Sequence, residues 1–192
     1  MIRAFHHNNI PGDPSLSVDS LRSAPVEEFA ALGYHVRQLA EGEDYEEEAK
    51  KLAQRLGYPL TEDSKIVWGF KPSANPLVQE WTGELLSKES LQPNADAPTA
   101  KCLIHVLDFL ALVLSGTALL DFEDPLSKSW IRAELSPGML WHVPGGSLLS
   151  FFKTSESYEV LMLFKGAPSS LIWDKAAESH PARQEYLKGL GL

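Results

Sequence analysis

The second half of the chain alternates apolar segments with glycine- and proline-containing turns, and this pattern restricts the possible folds most. The apolar segments cover residues 103–114, 118–122, 130–135, 139–143, 148–152 and 160–164. Turn residues separate them at Gly116, at Pro137-Gly138 and at Pro144-Gly145-Gly146. Short strands divided by such turns are typical of a β-sandwich or a small barrel. The sequence therefore predicts a mainly β core in this half of the chain.

Residues 1–100 are instead predicted to form a helical and irregular wrap. The clearest helix covers 44–56, where the apolar residues Ala49, Leu52, Ala53 and Leu56 share one face and Gly57 follows as a cap. The acidic run at 41–48 is interpreted as the solvated start of that helix, because acidic side chains favour a helix N-terminus. The other predicted elements are a helix over 26–32, strands over 34–39 and 65–68, a helix over 75–86, a loop over 90–100 and a helix over 181–190.

Composition and charge exclude several classes of protein. The chain has 192 residues, enough for one domain with its own hydrophobic core. Its 17 Lys and Arg against 26 Asp and Glu give a net charge of -9, which disfavours nucleic acid and anionic membranes as partners. The single cysteine, Cys102, excludes a disulfide framework. No apolar run approaches the roughly 18 residues of a membrane span and no signal-peptide core is visible, which predicts a cytoplasmic location.

Few polar residues stand out as catalytic candidates. The sequence contains no Gly-x-Ser-x-Gly elbow, no Walker loop and no Gly-x-Gly-x-x-Gly motif. The residues expected to be solvated or at the surface are His6, His7, Glu84, Asp121 and Glu134. His105 and His142 fall within predicted strands. A lone imidazole in a strand has three possible roles: a hydrogen-bonded core residue, a hydrogen-bond donor to a ligand, or an acid/base group. For His142, the alternation of side chains does not show which face of the strand 139–143 points inward.

The turn-rich segment at 130–146 resembles the second half of a cupin barrel. It reads Trp-Ile-Arg-Ala-Glu-Leu-Ser-Pro-Gly-Met at 130–139 and Val-Pro-Gly-Gly at 143–146. More narrowly, the chain resembles acireductone dioxygenase, the metal-dependent cupin of the methionine salvage pathway. Further matching segments are Pro-Gly-Asp-Pro at 11–14, Leu-Gly-Tyr at 32–34, Leu-Phe-Lys-Gly-Ala-Pro at 163–168 and Pro-Ala-Arg-Gln-Glu-Tyr at 181–186.

This resemblance implies a single domain over residues 1–192. Its centre would be a mainly β cupin barrel, the double-stranded β-helix or jelly roll, with helical N-terminal and C-terminal decoration. Residues 1–100 would form the wrap, 101–168 the cupin core and 169–192 the C-terminal helix.

The resemblance also implies a metal site from which this sequence departs. The family holds iron or nickel with a His-x-His-x3-Glu segment and a later histidine. The corresponding positions here are Leu103, His105, Phe109 and Leu149, so His105 alone matches. Asp108, at an odd offset from His105, is expected to point to the opposite face of a regular strand. No metal cofactor is therefore expected, and residual iron or nickel binding is the exception to be tested.

The positions around those ligands also carry apolar residues where the family has charged ones. Two family arginines that would hold an anionic substrate correspond to Ala111 and Met162. Trp68 or Trp141 is a candidate to close an apolar pocket. The residues predicted to line the former pocket are Leu103, Phe109, Ala111, Leu149, Met162 and Trp141. His105 is its main polar group and the first catalytic candidate, and His142 is a weaker one.

The leading hypothesis is a metal-free cupin that has lost acireductone dioxygenase activity and binds an apolar small molecule. A non-redox isomerisation, cyclisation or cycloaddition in specialised metabolism suits such a pocket, because these reactions need shape and one polarising donor. Two alternatives stay open: a non-catalytic regulatory or binding protein on a dead dioxygenase scaffold, and a divergent metal-dependent acireductone dioxygenase. Whether the pocket is open or filled, and the oligomeric state, are not predicted.

Overall fold

A computed structural model of the chain describes residues 2–9, 11, 16, 22–69, 79–80, 102–167 and 171–192. Within these ranges, eleven strands join in one sheet that is antiparallel except for one pair. The strands are β1 (Ala4–His7), β2 (Arg22–Ser23), β3 (His35–Gln38), β4 (Lys65–Gly69), β5 (Gln79–Glu80), β6 (Leu103–His105), β7 (Phe109–Asp124), β8 (Ser129–Leu135), β9 (Met139–Val143), β10 (Leu149–Phe164) and β11 (Leu171–Trp173). The helices are α1 (Val26–Ala31), α2 (Tyr45–Arg55), α3 (Asp174–Ser179) and α4 (Pro181–Gly189), with a 3-10 turn at Glu62–Ser64.

Two long strands, β7 and β10, run antiparallel and organise the barrel. Their pairing extends from Phe109 opposite Phe164 to Phe122 opposite Leu149. The first part of β7 also pairs with β9 and the second part with β8, so the sheet divides into two halves that share β7 and β10. Side chains from both halves meet in one buried cluster. The sheet is therefore curled, with an interior between its halves.

The bend between the two halves lies where the sequence predicts a turn at Gly116. That prediction is wrong, because β7 continues through Gly116 with φ +77° and a register shift against β10. A Cβ on Gly116 would lie 2.0 Å from the Ser157 carbonyl oxygen, so this close approach requires glycine. For the same reason, the segments 148–152 and 160–164 are parts of one strand rather than two. Conversely, the predicted strand 103–114 is interrupted at 106–108.

The helices of the wrap agree better with the sequence pattern. Helix α2 begins after Asp44, whose carboxylate accepts a hydrogen bond from the Glu47 N–H at 3.1 Å, so the interpretation of the acidic run as a helix start is confirmed. Helices α1 and α4 are also confirmed, whereas α3 was not predicted. In the predicted helix 75–86, the described pair Gln79–Glu80 is a strand, so the helix is wrong there. The rest of that helix and the loop 90–100 lie outside the described residues.

The buried apolar residues divide into two principal clusters. The inner cluster faces the barrel interior and includes residues of both half-sheets together with Phe29 and Tyr34. Its barrel members include Leu103, Phe109, Leu120, Phe122, Ile131, Ala133, Trp141, Val143, Leu149, Met162 and Phe164, with Ala111 packed against them. The outer cluster lies on the opposite face under α2, and comprises Leu39, Ala49, Ala53, Tyr58, Leu110, Leu112, Leu140, Leu161 and Leu163.

The start of the chain is more ordered and more buried than its sequence predicts. Strand β1 pairs along β8, so the expectation that His6 and His7 are solvated is wrong: they are 9% and 4% exposed. Asp121 is fully buried against Arg132 and is not a surface carboxylate. Glu134 is about a third exposed and pairs with Arg3, as expected for a surface carboxylate. Glu84 lies outside the described residues.

No helix in the described part of the chain has the length and apolar character needed to cross a membrane.

Candidate functional site

The four positions that the resemblance assigns to the family's metal ligands lie close together inside the barrel. Leu103 on β6 lies directly opposite Leu149 on β10. His105 follows two residues later on β6, and its ring centroid is 4.3 Å from that of Phe109 at the start of β7. The register assigned to this segment therefore gives one compact site rather than scattered residues.

A backbone clamp determines how β6 passes into β7. The Gly146 N–H donates to the His105 carbonyl oxygen at 2.8 Å, and the Gly145 N–H donates to Asp108 Oδ1 at 2.8 Å. A Cβ on Gly145 would lie 2.8 Å from the Val106 carbonyl oxygen, so a larger residue would push the two segments apart. The turn at 144–146 thus holds the interruption at 106–108 and sets the positions of His105 and Phe109.

His105 is a buried imidazole among aromatic rings. It is 8% exposed, and the Phe164 ring centroid lies 5.8 Å from its own. Burial lowers the pKa of His105 to about 3, because the charged imidazolium loses its hydration there. The imidazole is consequently neutral near neutral pH, with one nitrogen that donates and one that accepts a hydrogen bond. This favours hydrogen bonding to a ligand over proton transfer as its chemical role.

Ala111 differs in accessibility from the other residues predicted to line the pocket. It points inward from β7, between Trp141 on β9 and Met162 on β10. It is only partly buried, whereas its outward-pointing neighbours Leu110 and Leu112 are each 1% exposed. Ala111 therefore keeps accessible surface that the neighbouring side chains do not cover.

All the residues predicted to line the pocket belong to this interior. Phe109, Leu149 and Met162 are 5%, 3% and 4% exposed, and Leu103 and Trp141 are buried beside them. The side chain of Trp68 lies outside the described part of the structure. Sequence reasoning missed Phe164, although it lies two residues after Met162 and so shares its face of β10. That ligands bind at these residues stays a prediction.

His142 lies on the other face of the sheet, away from His105. Its Nδ1 is 3.1 Å from the Gly33 carbonyl oxygen, and its ring meets the edge of Tyr58 in the outer cluster. Its neighbours Trp141 and Val143 point inward, which settles the parity that the sequence left open. The structure does not bring His142 together with the residues of the interior.

Asp108 is also directed outward. Its Oδ2 lies 3.8 Å from His142 Nε2 and 3.2 Å from Lys165 Nζ. The His142 imidazole, the Gly145 N–H and the Lys165 ammonium hold the pKa of Asp108 below its ordinary value. The carboxylate therefore stays ionised and serves the clamp rather than the interior.

The donors around His105 do not fit the iron or nickel that the resemblance implies. Such ions take imidazole and carboxylate ligands, whereas Leu103, Phe109 and Leu149 have no lone pair to offer. In the described ranges, no three His, Cys, Asp or Glu side chains are grouped so that they could hold a metal ion.

Comparison with known proteins gives a consistent set of relatives. The chain is 23% identical over 194 residues to acireductone dioxygenase 1 of Coprinopsis cinerea, covering 100% of this chain and 99% of that protein. It is 34% identical over 88 residues to acireductone dioxygenase 4 of Oryza sativa subsp. japonica, covering 45% and 47% of the two chains. No protein-family model matches the chain.

A solved structure matches over most of its length. It is the acireductone dioxygenase from Bacillus anthracis with a cadmium ion in its active centre, with a TM-score of 0.57 and 14% identity, covering 88% of this chain and 95% of that one. The curled sheet with its interior therefore has the fold of a cupin. Over its full length the chain is similar in sequence to the Coprinopsis cinerea relative, so it more narrowly resembles acireductone dioxygenase.

Proposed function

We propose that this cupin binds an apolar small molecule in its barrel and catalyses a non-redox rearrangement of it, without a metal. The observation that carries the proposal is the neutral His105, which lies among Phe109 and Phe164 at the family's ligand positions. The partial exposure of Ala111 supports it, because a small side chain there leaves accessible surface among apolar walls.

Isomerisation, cyclisation or cycloaddition suits these residues. The apolar walls would hold a flexible molecule in a folded conformation with its reacting atoms close together, which lowers the entropic part of the barrier. The His105 N–H would donate a hydrogen bond to a carbonyl oxygen on which negative charge develops. No atom is gained or lost in such a reaction, so no oxidant or reductant is needed.

Binding is tested by titration with N-phenyl-1-naphthylamine, a neutral apolar dye that fluoresces in apolar surroundings. We expect saturable binding to the native chain. Ala111→Phe should weaken it about tenfold or more, because overpacking the interior at this position costs about 1–3 kcal/mol. The matched control is Ala176→Phe, at an exposed position of α3, which should bind as the native chain does. Equal affinity in all three proteins would contradict an interior site.

Catalysis is tested with a panel of neutral, flexible α,β-unsaturated ketones, analysed by mass spectrometry after chromatography. The expected product has the same mass as its substrate. Its rate should fall about a hundredfold in His105→Ala, the usual effect of losing one donor to a developing oxyanion. Phe109→Asn should also slow it. Unchanged rates in both variants would remove this mechanism, and binding without any product would favour a non-catalytic binding protein.

A metal-dependent acireductone dioxygenase is the second candidate, and the names of the relatives favour it. Elemental analysis of protein purified from cells grown with added iron and nickel tests it. Stoichiometric iron or nickel, together with oxygen uptake when acireductone is added, would establish that activity and contradict the metal-free proposal. A metal content far below one ion per chain, with no oxygen uptake, is the result we expect.

A further inference from the structure

We propose that His35 and His142 form a second site, on the outside of the barrel, that binds a zinc ion and so joins the wrap to the barrel. The site lies on the opposite face of the sheet from His105, and it is independent of the function proposed for the interior. It gives a ligand to His142, which the interior does not use.

The two histidines are direct cross-strand neighbours on one face of the sheet. His35 on β3 pairs with His142 on β9 in antiparallel register. Both point outward, because their chain neighbours Val36 and Trp141 pack with the inner cluster. Their ring centroids are 5.5 Å apart. When two imidazole nitrogens each lie about 2.1 Å from one zinc ion, their ring centroids are roughly 5 Å apart, so little movement is needed to share an ion.

The surroundings of His142 determine which of its nitrogens can bind a metal. Its Nδ1 lies 3.1 Å from the Gly33 carbonyl oxygen. A carbonyl oxygen only accepts hydrogen bonds, so this contact assigns the ring proton to Nδ1 and leaves the lone pair on Nε2. Metal-binding histidines usually donate from their other nitrogen to a carbonyl or carboxylate in this way. His142 is therefore held in the tautomer that coordination requires.

A carboxylate beside Nε2 favours a cation at this place. Asp108 Oδ2 lies 3.8 Å from His142 Nε2, so in the neutral tautomer a lone pair faces a carboxylate with no proton between them. A cation bound at Nε2 gains the attraction of that negative charge. Lys165 Nζ also approaches Oδ2, at 3.2 Å, but its side chain is half exposed and its charge is screened by solvent.

The donors present suit a zinc ion that the protein holds at two of its positions. Imidazole is a good zinc ligand, and zinc imposes no geometry of its own, so water can occupy the remaining positions. Among the described residues, no third His, Cys, Asp or Glu completes a metal-binding group with these two. His35 is exposed, which gives the ion and its waters access. A site with two protein ligands binds reversibly, so it is measured by titration rather than by metal content after purification.

The test is calorimetric titration of zinc chloride into the native chain, His35→Gln and His180→Asn. We expect one saturable zinc ion per native chain. His35→Gln changes an exposed side chain and should weaken binding at least about tenfold, because one imidazole alone loses the advantage of holding the ion at two points. His180→Asn is the matched control. It removes a histidine elsewhere, keeps a side chain that accepts the N-cap hydrogen bond of α4, and should bind zinc as the native chain does.

Long-range ¹H–¹⁵N spectra of the imidazole groups show on the native chain which nitrogens bind, whatever the folding of the variants. Zinc should shift His142 Nε2 and one nitrogen of His35. Equal zinc affinity in the native chain and His35→Gln, or an equal loss in His180→Asn, would overturn the proposal and indicate an adventitious ion on the acidic surface. Absence of zinc binding to the native chain would also overturn it. None of these results affects the dye titration, which reports on the interior.

Discussion

The inner and outer faces of the sheet differ in the polar groups they bury. On the inner face, His105 of β6 is neutral and lies against the aromatic Phe109 at the start of β7. On the outer face near the end of β7, Asp121 and its partner Arg132 of β8 are both fully buried and form two hydrogen bonds of 2.7 and 2.8 Å. The fold thus accommodates a buried charge where cross-strand pairing supplies its counter-ion. Around His105, where the resemblance implies a metal ion, the side chains are apolar instead.

Other contacts tie the outer pair to the start of the chain. Arg132 Nη1 donates to the Leu16 carbonyl oxygen at 3.3 Å, and His7 Nε2 lies 3.6 Å from Asp121 Oδ1. This region therefore joins the barrel to its N-terminal strand. The contacts of the charged pair indicate a structural role, and the proposed chemistry is assigned to the neutral interior.

The largest effect is expected from breaking the outer pair. Arg132→Met leaves the Asp121 carboxylate buried without its counter-ion, which should lower the free energy of unfolding by about 4 kcal/mol. The double variant Asp121→Leu/Arg132→Met should recover most of that loss, because no unpaired charge is then buried. Urea unfolding measures both. A loss below about 1 kcal/mol in the single variant would show that the pair is less buried than described.

A second experiment would place metal-ligating side chains in the interior, so that the inner face also carries polar groups. Leu103→His, Phe109→Glu and Leu149→His together with the native His105 should create a nickel site, since these positions adjoin one another. Nickel at about a hundred times its dissociation constant should stabilise the variant by about 3 kcal/mol, seen as a higher melting temperature. The same variant with His105→Ala is the control and should respond less. No response to nickel in the full variant would mean that the register is misplaced.

The neutral state of His105 predicts a pH dependence of stability. Its unfolded pKa is near 6.5 and its folded pKa about 3, so below about pH 6.5 the unfolded chain binds a proton that the folded chain does not. Stability from this group is present above that pH and is lost as the pH falls. Between about pH 6.5 and 5, the native chain should lose about 1.6 kcal/mol more than His105→Leu does. Parallel pH profiles for the two proteins would show that His105 is not held neutral.

The smallest effect is expected at Asp108, whose side chain accepts a hydrogen bond from the 144–146 turn. Asp108→Asn keeps the shape of the side chain but removes the charge that faces His142 and Lys165, and should cost about 1 kcal/mol. Lys165→Met, at a half-exposed position, should cost less than that because an exposed ion pair contributes little. Chemical unfolding of both variants at neutral pH makes the comparison. A larger loss in Lys165→Met would show that the ion pair, rather than the Gly145 hydrogen bond, stabilises the clamp.

The resemblance to acireductone dioxygenase predicted which residues lie in the interior. Leu103, Phe109, Ala111, Leu149 and Met162 all lie on the inner side of the barrel, and the interruption at 106–108 leaves the inward directions of β6 and β7 consistent. The hydrogen bonds from the 144–146 turn explain this agreement, because they hold residues 105–108 so that β7 begins with the same side-chain orientation as β6.

Predictions that depended on distant parts of the chain were less successful. Gly116 signals a turn in sequence, yet β10 lies beside it and converts the turn into a bulge within a continuous strand. His7 and Asp121 read as solvated groups, yet β1 pairs with β8 and buries them. No local pattern contains the information that these segments meet.

The sequence by itself predicted a β-sandwich or small barrel and the limits of the main helix, because hydrophobic period and turn chemistry act over a few residues. The family resemblance added the apolar character of the interior. Only the tertiary structure decided that Trp141 rather than His142 faces inward. It also decided where a charge pair is buried. Facing and burial depend on which strands pair across the barrel, and that pairing joins residues far apart in the chain.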